Sequence, residues 1–600
     1  MKYRTCVLAL SSLFLGLLLI SFSWLKERCA APTPIPSHTG GYYEDSFLLE
    51  LAAPSNGKIY YTTDGSTPGT ESAVYHDGIL LEDRSFEQNK YSSIQNVVAD
   101  WKEYEPDLTP VPKGTVVRAL FVNDWGMESP ILTQTYFVGI SKPERGYTLS
   151  LIFEDDALFG DNGIYITGKE YDDWYLSKNP SSIPPTPNFE KDMEVPAILE
   201  LIDDSSDILN QSIGVRIQGG TARGESKKRL TLVAREEYSG SQVFDANLFG
   251  NKTHSVMLKS YLPDAIVNRL LSDRSLALQK SLPVRVFFNG EYWYDTYMLE
   301  RFDANYFQQH YQVDDHLIVK HGIPDESAVA SAEGPPYQEF MHWVENADFS
   351  DENQWDQFQK ETDVQSYIDY IVTNYYLCNI DFGDTHNYVL WRSLRSGKSK
   401  YEDLRWRWCI YDIDTLEWVN NNPIHPKSYQ INTFNYDYTF NIRKTTIFPA
   451  LCENSEFRKQ FVLSFMDIVN NNFSSKNVEP ILSEYGYNLE WKDSFFLNRP
   501  AYAIQHLADE FSLTGSLENI TISTEQPNAG TVIVNTSEID LSDGGWSGKY
   551  FTDYPITVTA VPNEGYTFLG WKGDASGSSE TLTVSVDGGI TLKAMFAKVK

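Results

Sequence analysis

The period of the apolar pattern changes along this chain of 600 residues, and that change limits the folds open to it. Between residues 42 and 139, runs such as KIYYTTDG, TVVRALFV and ILTQTYFVG alternate apolar and polar side chains, punctuated by Asp-Gly and Pro. Alternation at period two belongs to strands with one wet face, and a unit of this size predicts an antiparallel β-sandwich. The far end repeats the pattern in GTVIVNTSE, PITVTAVPNEGYTFLGW and ITLKAMFAK, joined by Gly, Asn and Asp turns. In between, the strand-like runs PAILELID, SIGVRIQGG, RLTLVAR and LPVRVFFNG come first and helical stretches later. QSYIDYIVTNYYLCNI sets Tyr367, Tyr370, Ile371, Asn374 and Tyr375 near three-and-four spacing, a helical face whose aromatics belong in a core. Strands followed by helices predict an α+β domain. The expectation is therefore multidomain: a leader over 1–31, a β-sandwich over 40–139, a central α+β domain over 140–514 and a small β module over 515–600.

Charge narrows the function classes. With 82 acidic against 49 basic side chains the net charge is -33, which repels nucleic acid and anionic membrane surfaces and favours basic or neutral substrates. No nucleic-acid partner is expected. At the start, Lys2 and Arg4 precede an apolar run from Cys6 to Trp24, with Ala30 and Ala31 near a cleavage point. That segment reads as a secretory signal or as a single membrane anchor; both predict export, with membrane contact through this segment alone. Glu27 and Arg28 beside Cys29 argue against a lipoprotein site. Cys378, Cys409 and Cys452 have no CxxC spacing, so neither a zinc site nor a disulfide framework is indicated and they read as buried thiols.

Three segments of the central region carry chemistry. In GVRIQGGTARGESKKRLTLVAR a strand ends at Gly219 and Gly220, a polar loop passes Arg223 and Gly224, and a second strand carries Lys227 and Lys228. Such a loop lets backbone N–H groups approach phosphate while a lysine neutralises it; the same residues also make an ordinary hairpin with solvated lysines. Lys228 shares parity with Leu230 and Leu232 and is the inward candidate. In LPVRVFFNGEYWYDTYMLERFDANYFQQHY a hairpin turns at Asn289-Gly290 and its second strand leads to Glu300, Arg301 and Asp303. Glu300 is placed to hold the lysine by an ion pair, or to be satisfied by Arg301 as part of the fold. In NIDFGDTHNYVLWR and RWRWCIYDID, Asp381 is followed six positions later by Asn387, and a strand delivers Asp412 and Asp414. An Asp that accepts a hydroxyl proton and an Asn that binds metal follow the logic of a kinase catalytic loop. In strand geometry Asp412 and Asp414 share one face and suit Mg²⁺; a DxD pair also holds nucleotide-sugars in metal-dependent glycosyltransferases.

These segments, in this order, resemble the spore-coat-protein-H (CotH) kinase family over most of the middle domain. The resemblance implies an atypical protein-kinase-like fold and transfer of phosphate from ATP to serine. It implies Lys228 on the ATP phosphates, Asp381 as the catalytic aspartate, and Asn387 with Asp412 on Mg²⁺ or Mn²⁺, Asp414 being a second acid. Thr415, Leu416, Glu417 and Trp418 stand where the family often has Phe-Gly-like residues. The longer turn makes Asp384 an alternative to Asp381, and lone His386 reads as a hydrogen-bonding turn residue. Tyr60 to Pro68, YYTTDGSTP, resembles a chitobiase/β-hexosaminidase C-terminal-type domain, taken as a spacer more than a glycan-binding face. Gly565 to Trp571, GYTFLGW, resembles a divergent internalin B-type repeat with a β-grasp-like core, a module of exported bacterial surface proteins. The reading is an exported protein kinase acting on a surface or secreted protein. A catalytically silent envelope scaffold and a metal-dependent glycosyltransferase are the alternatives.

Overall fold

The computed structural model describes residues 30–599, apart from 178–181, 204–206, 260–261, 325–332, 334–335, 384–385, 414–426 and 436–444. Described residues of Met1–Ser260 and Ser281–Arg301 form one compact unit, and those of Tyr261–Lys280 and Phe302–Lys600 a second. The leader lies outside the described residues. Among those described, no helix is long and apolar enough to cross a membrane.

The first unit is built around a closed barrel of seven strands. In hydrogen-bonded order they are Tyr147–Ile152, Glu194–Ile202, Asp207–Gln218, Arg229–Val233, Ser255–Lys259, Glu291–Glu300 and Ser281–Phe288. The neighbours are antiparallel until the last strand closes the ring parallel to the first, Leu149 opposite Val286. Alternate residues fill the interior: Leu149 and Leu151, Leu199 and Leu201, Leu230 and Leu232, Val256 and Leu258, Val284 and Val286 share one buried cluster. Period two thus does here what the sequence promised, one apolar face per strand. The Asn289-Gly290 hairpin forms as expected, with φ 44° and 84° in a two-residue turn between Phe288 and Glu291.

Ahead of the barrel, a five-stranded sheet includes Gly57–Thr62, Thr115–Asn123 and Leu132–Val138, while Phe47–Leu49 and Ile79–Leu81 pair as a ribbon. Both contribute to one core that includes Leu49, Leu81, Ile59, Val117 and Phe121. This module is no free spacer. Tyr91 and Val97, from the segment between its strands, are buried in the barrel's own cluster. The Glu291 carboxylate anchors that segment by accepting from the backbone N–H groups of Lys90 (2.7 Å), Tyr91 (3.1 Å) and Ser92 (2.8 Å).

The second unit is mainly helical. Its middle helix, Val364–Tyr376, starts where the Asp363 carboxylate caps the Ser366 N–H and buries every residue from Ser366 onward. Four short strands, Ile323–Pro324, His316–Lys320, Val389–Ser393 and Arg407–Cys409, form a sheet in that order. The C-terminal module has two four-stranded sheets, one of them Gly545–Phe551, Leu517–Thr524, Ile590–Lys598 and Tyr566–Gly573. Among its described residues there is no α-helix, only the 3-10 turn Pro527–Ala529. A β-grasp needs a helix across its sheet, so that expectation is corrected to paired sheets.

Buried charge fastens this module to the helices. Asp467, on the helix Ser455–Asn470, accepts from Asn535 Nδ2 (2.9 Å), Thr536 N (3.0 Å), Thr536 Oγ1 (2.7 Å) and Tyr550 Oη (2.7 Å). Arg274 donates to Asp369 (2.5 Å) on the middle helix and to Ser537 Oγ (2.9 Å) of the module. Both members of the Arg274–Asp369 pair are sealed from solvent. Removing one partner of such a pair costs about 3–5 kcal/mol, because the other charge stays buried alone.

Candidate active site

The end of the middle helix sets the geometry. Cys378 turns left-handed at φ 54°, and Asn379 then bonds back to Asn374 through its backbone N–H (2.9 Å) and its side-chain amide (2.7 Å). Asn379 Oδ1 in turn accepts from the Asp381 N–H at 3.1 Å. Six residues of chain are thereby wound into a fixed turn with Asp381 at its exit. Asn387 closes the turn: its Nδ2 donates to the Asp381 carbonyl (2.9 Å) and to Asp381 Oδ2 (3.1 Å). His386 Nε2 lies 3.4 Å from Asp381 Oδ1, and its backbone pairs with Gly383. Asp381 and Asn387, read separately as catalytic aspartate and metal ligand, are thus bonded to each other, and His386 lies in the same turn.

Asn387 also has φ 46°, Asp412 φ 55° and His321 φ 52°. Asn, Asp and His tolerate that region better than other residues, and their clustering marks a site where backbone direction matters more than local ease. For Asp412 this is a correction. The strand ends at Cys409, so the alternation expected to put Asp412 on a shared face does not reach it. Asp414 and Asp384, with Thr415, Leu416, Glu417 and Trp418, lie outside the described residues. Asp264, 1% exposed, accepts from the Ile413 N–H (3.3 Å) and steadies the segment carrying Asp412.

One side chain of the site escaped the sequence reading. His321 sits with Gly322 in the two-residue turn between His316–Lys320 and Ile323–Pro324. Its Nδ1 accepts from the Asn387 N–H at 3.1 Å, and its own N–H donates to the Tyr388 carbonyl at 2.8 Å. Burial and then the neighbouring His386 ring push its pKa down, while Asp412 acts the other way. A lone His-Gly pair carries no motif, so the sequence held no signal for its role.

The glycine segment, in the first unit, departs from expectation. Gly219 adopts φ 113° and the chain then winds a 3-10 turn, Thr221–Gly224. A Cβ added at Gly220 or Gly224 meets nothing within 4 Å, so this backbone is open to close approach. Arg223 is committed locally, to the Gly219 carbonyl (2.8 Å) and Asp192 (2.8 Å). Lys228 does point inward, at 1% exposure. Its three N–H donors, however, go to the carbonyls of Val97 (2.7 Å), Arg223 (2.6 Å) and Glu225 (2.9 Å). Burial pushes its pKa down to about 7, against the charges of Glu190 and Glu225. The three carbonyl oxygens also favour its charged form. With every donor spent, the expected Lys228–Glu300 ion pair is not formed, and Lys228 holds the loop together. Glu300 is buried at the end of its strand, opposite Val256. Lys227 lies 3.7 Å above the Trp293 ring centroid, and burial pushes it down to about 8. Cys378, Cys409 and Cys452 are free thiols, the first two buried.

Asn387 and Asp412 supply hard oxygen donors. With the amide nitrogen of Asn387 directed at Asp381, its carbonyl oxygen is the atom that would meet a cation. Mg²⁺ suits such a set, since it takes one or two protein oxygens beside phosphate and water. Among the described residues there is no group of three or more His, Cys, Asp and Glu side chains arranged to hold a metal alone.

Residues 215–508 match the family described as CotH kinase protein. The chain carries a CotH kinase protein domain. Residues 531–600 match the divergent InlB B-repeat domain, as the GYTFLGW phrase suggested. Residues 49–136 match the Fn3 associated family, a different description from the chitobiase-type resemblance. No curated protein matches the chain. The whole is thus a multidomain protein: a β-rich N-terminal region, a CotH region of sheets and helices, and a β-rich C-terminal repeat.

Proposed function

We propose that this CotH protein is an exported enzyme of atypical protein-kinase-like fold that moves the γ-phosphoryl group of ATP to a serine hydroxyl of a surface or secreted protein. The observation that carries the reading is the Asp381–Asn387 pair, fixed by two hydrogen bonds just beyond a helix buried from Ser366 onward, inside the stretch that matches the CotH family. Asp381 accepts the serine proton as the new O–P bond forms; the bond from the γ-phosphorus to the bridging oxygen breaks and ADP leaves. Asn387 orients that carboxylate and, with Asp412, would hold Mg²⁺ or Mn²⁺. Asp414 is retained as a further acid. A metal held there would supply charge neutralisation to the phosphates. Gly219, Gly220 and Arg223 form the turn proposed to receive phosphate, and Lys227 and Glu300 are the charged groups to test for that role. The β modules are proposed to meet cell-wall glycan, and the acidic surface favours a neutral or basic acceptor.

One observation favours a second reading, a silent scaffold of the envelope: Lys228, expected on phosphate, spends all its donors on its own backbone. Labelled ATP with Mg²⁺ and a Ser-rich acceptor separates the two. Transfer that Asp381→Asn removes supports the enzyme; no transfer and no nucleotide-dependent thermal shift support the scaffold.

A further inference from the structure

We infer that His321 is a positioning residue for the phosphoryl-transfer turn, acting through the backbone of Asn387. This rests on the functional reading above for its catalytic consequence, while its structural content stands apart from it. Asn387 is held from two directions: its side chain is aimed at Asp381, and its N–H is aimed at His321 Nδ1, 3.1 Å away. The second contact is reciprocal, because the His321 N–H returns to the carbonyl of Tyr388, the next residue along (2.8 Å). A two-residue hairpin tip is thus stapled to the turn at two consecutive residues.

Chemistry fixes the state of the ring. A backbone N–H only donates, so Nδ1 accepts and the imidazole proton sits on Nε2. Packing fixes its place: the ring lies 6.0 Å from Tyr411 and 6.2 Å from His386, centroid to centroid. Asn387 needs such a hold. It stands at φ 46°, half a turn from extended backbone, and the strand Val389–Ser393 begins only two residues later. If the N–H loses its acceptor, the backbone of Asn387 is left with the neighbouring Tyr388 carbonyl bond alone to set the direction from which its amide meets Asp381. A displacement of about 1 Å at a reacting group costs on the order of 100-fold in rate.

The test uses the full protein and two readouts. His321→Asn keeps an acceptor at the position of Nδ1 and tolerates left-handed backbone; His321→Ala removes the acceptor. Hydrogen exchange over 386–391 is expected to rise at least about tenfold in His321→Ala and to return close to wild type in His321→Asn. Phosphoryl transfer is expected to fall in kcat by roughly 10- to 100-fold in the first, with acceptor KM little changed, and to recover within about threefold in the second. Should His321→Ala fail to fold, His321→Gln, whose acceptor sits one bond further out, replaces it and is expected to behave as the loss variant. Unchanged exchange in the loss variant, or no recovery in His321→Asn, overturns the proposal. A wild type that transfers no phosphate sinks the functional reading, and the exchange result then decides the staple alone.

Discussion

Two turns in this chain each read as a chemical site in the sequence and proved opposite in structure. The glycine turn at 219–228 contains a lysine whose charge is consumed inside the turn, by three carbonyls within 2.9 Å. The turn at 379–387 instead spends backbone and amide groups to aim a carboxylate: Asn379 and Asn387 bond around Asp381, and His321 bonds to Asn387. In the first, charge serves the fold; in the second, the fold serves charge. The difference teaches that a buried lysine beside glycines is not evidence of a phosphate site until its donors have been counted. A carboxylate held by neighbours that are themselves held is the stronger sign.

That contrast can be broken by mutation. The largest effect is expected where charge serves the fold most completely, at Arg274→Ala, which leaves Asp369 buried without its cation; a loss of about 3–5 kcal/mol in denaturant unfolding is expected. Lys228→Met strands three carbonyl oxygens and should lower stability by about 3 kcal/mol. If the variant instead keeps its melting temperature and only its KM for ATP rises, Lys228 belongs with the phosphates after all. Asn387→Ala reverses the balance: stability moves by about 1 kcal/mol while the transfer rate falls on the order of 100-fold, read by parallel melting and kinetic assays.

The smallest effect is a pH dependence. Lys227 is pushed down to about 8 by burial, whereas an unfolded chain keeps a lysine near 10.4. Between those values the unfolded state binds the extra proton, so this group adds stability as pH rises from about 8 to about 10 and loses it as pH falls through 8. Lys227→Met should flatten that part of the melting-temperature profile relative to wild type. An identical slope in both proteins would show that Lys227 keeps an ordinary pKa above Trp293.

Local chemistry was legible in the sequence, and long-range chemistry was not. The Asn289-Gly290 hairpin, the buried aromatic helix and the Asp381–Asn387 partnership each depend on residues within a few positions, so their patterns survive in one dimension. The inward parity of Lys228 was also correct. What met it was not visible, because the Val97 carbonyl arrives from 131 residues away. His321 reaches Asn387 across 66 residues through a contact that no spacing encodes. Barrel closure likewise rests on a parallel pairing of Tyr147–Ile152 with Ser281–Phe288. Strand alternation was extrapolated too far at Asp412, where the backbone has already turned left-handed, and a β-grasp was expected where two sheets suffice.

The central claim is that Asp381 removes a proton from a serine hydroxyl. The direct measurement is γ-labelled ATP transfer to a Ser-rich acceptor by wild type and Asp381→Asn, with melting temperature as control. The account predicts transfer by wild type, a fall of roughly 100- to 10,000-fold in the variant, and matched melting curves. Equal transfer by both proteins would contradict it.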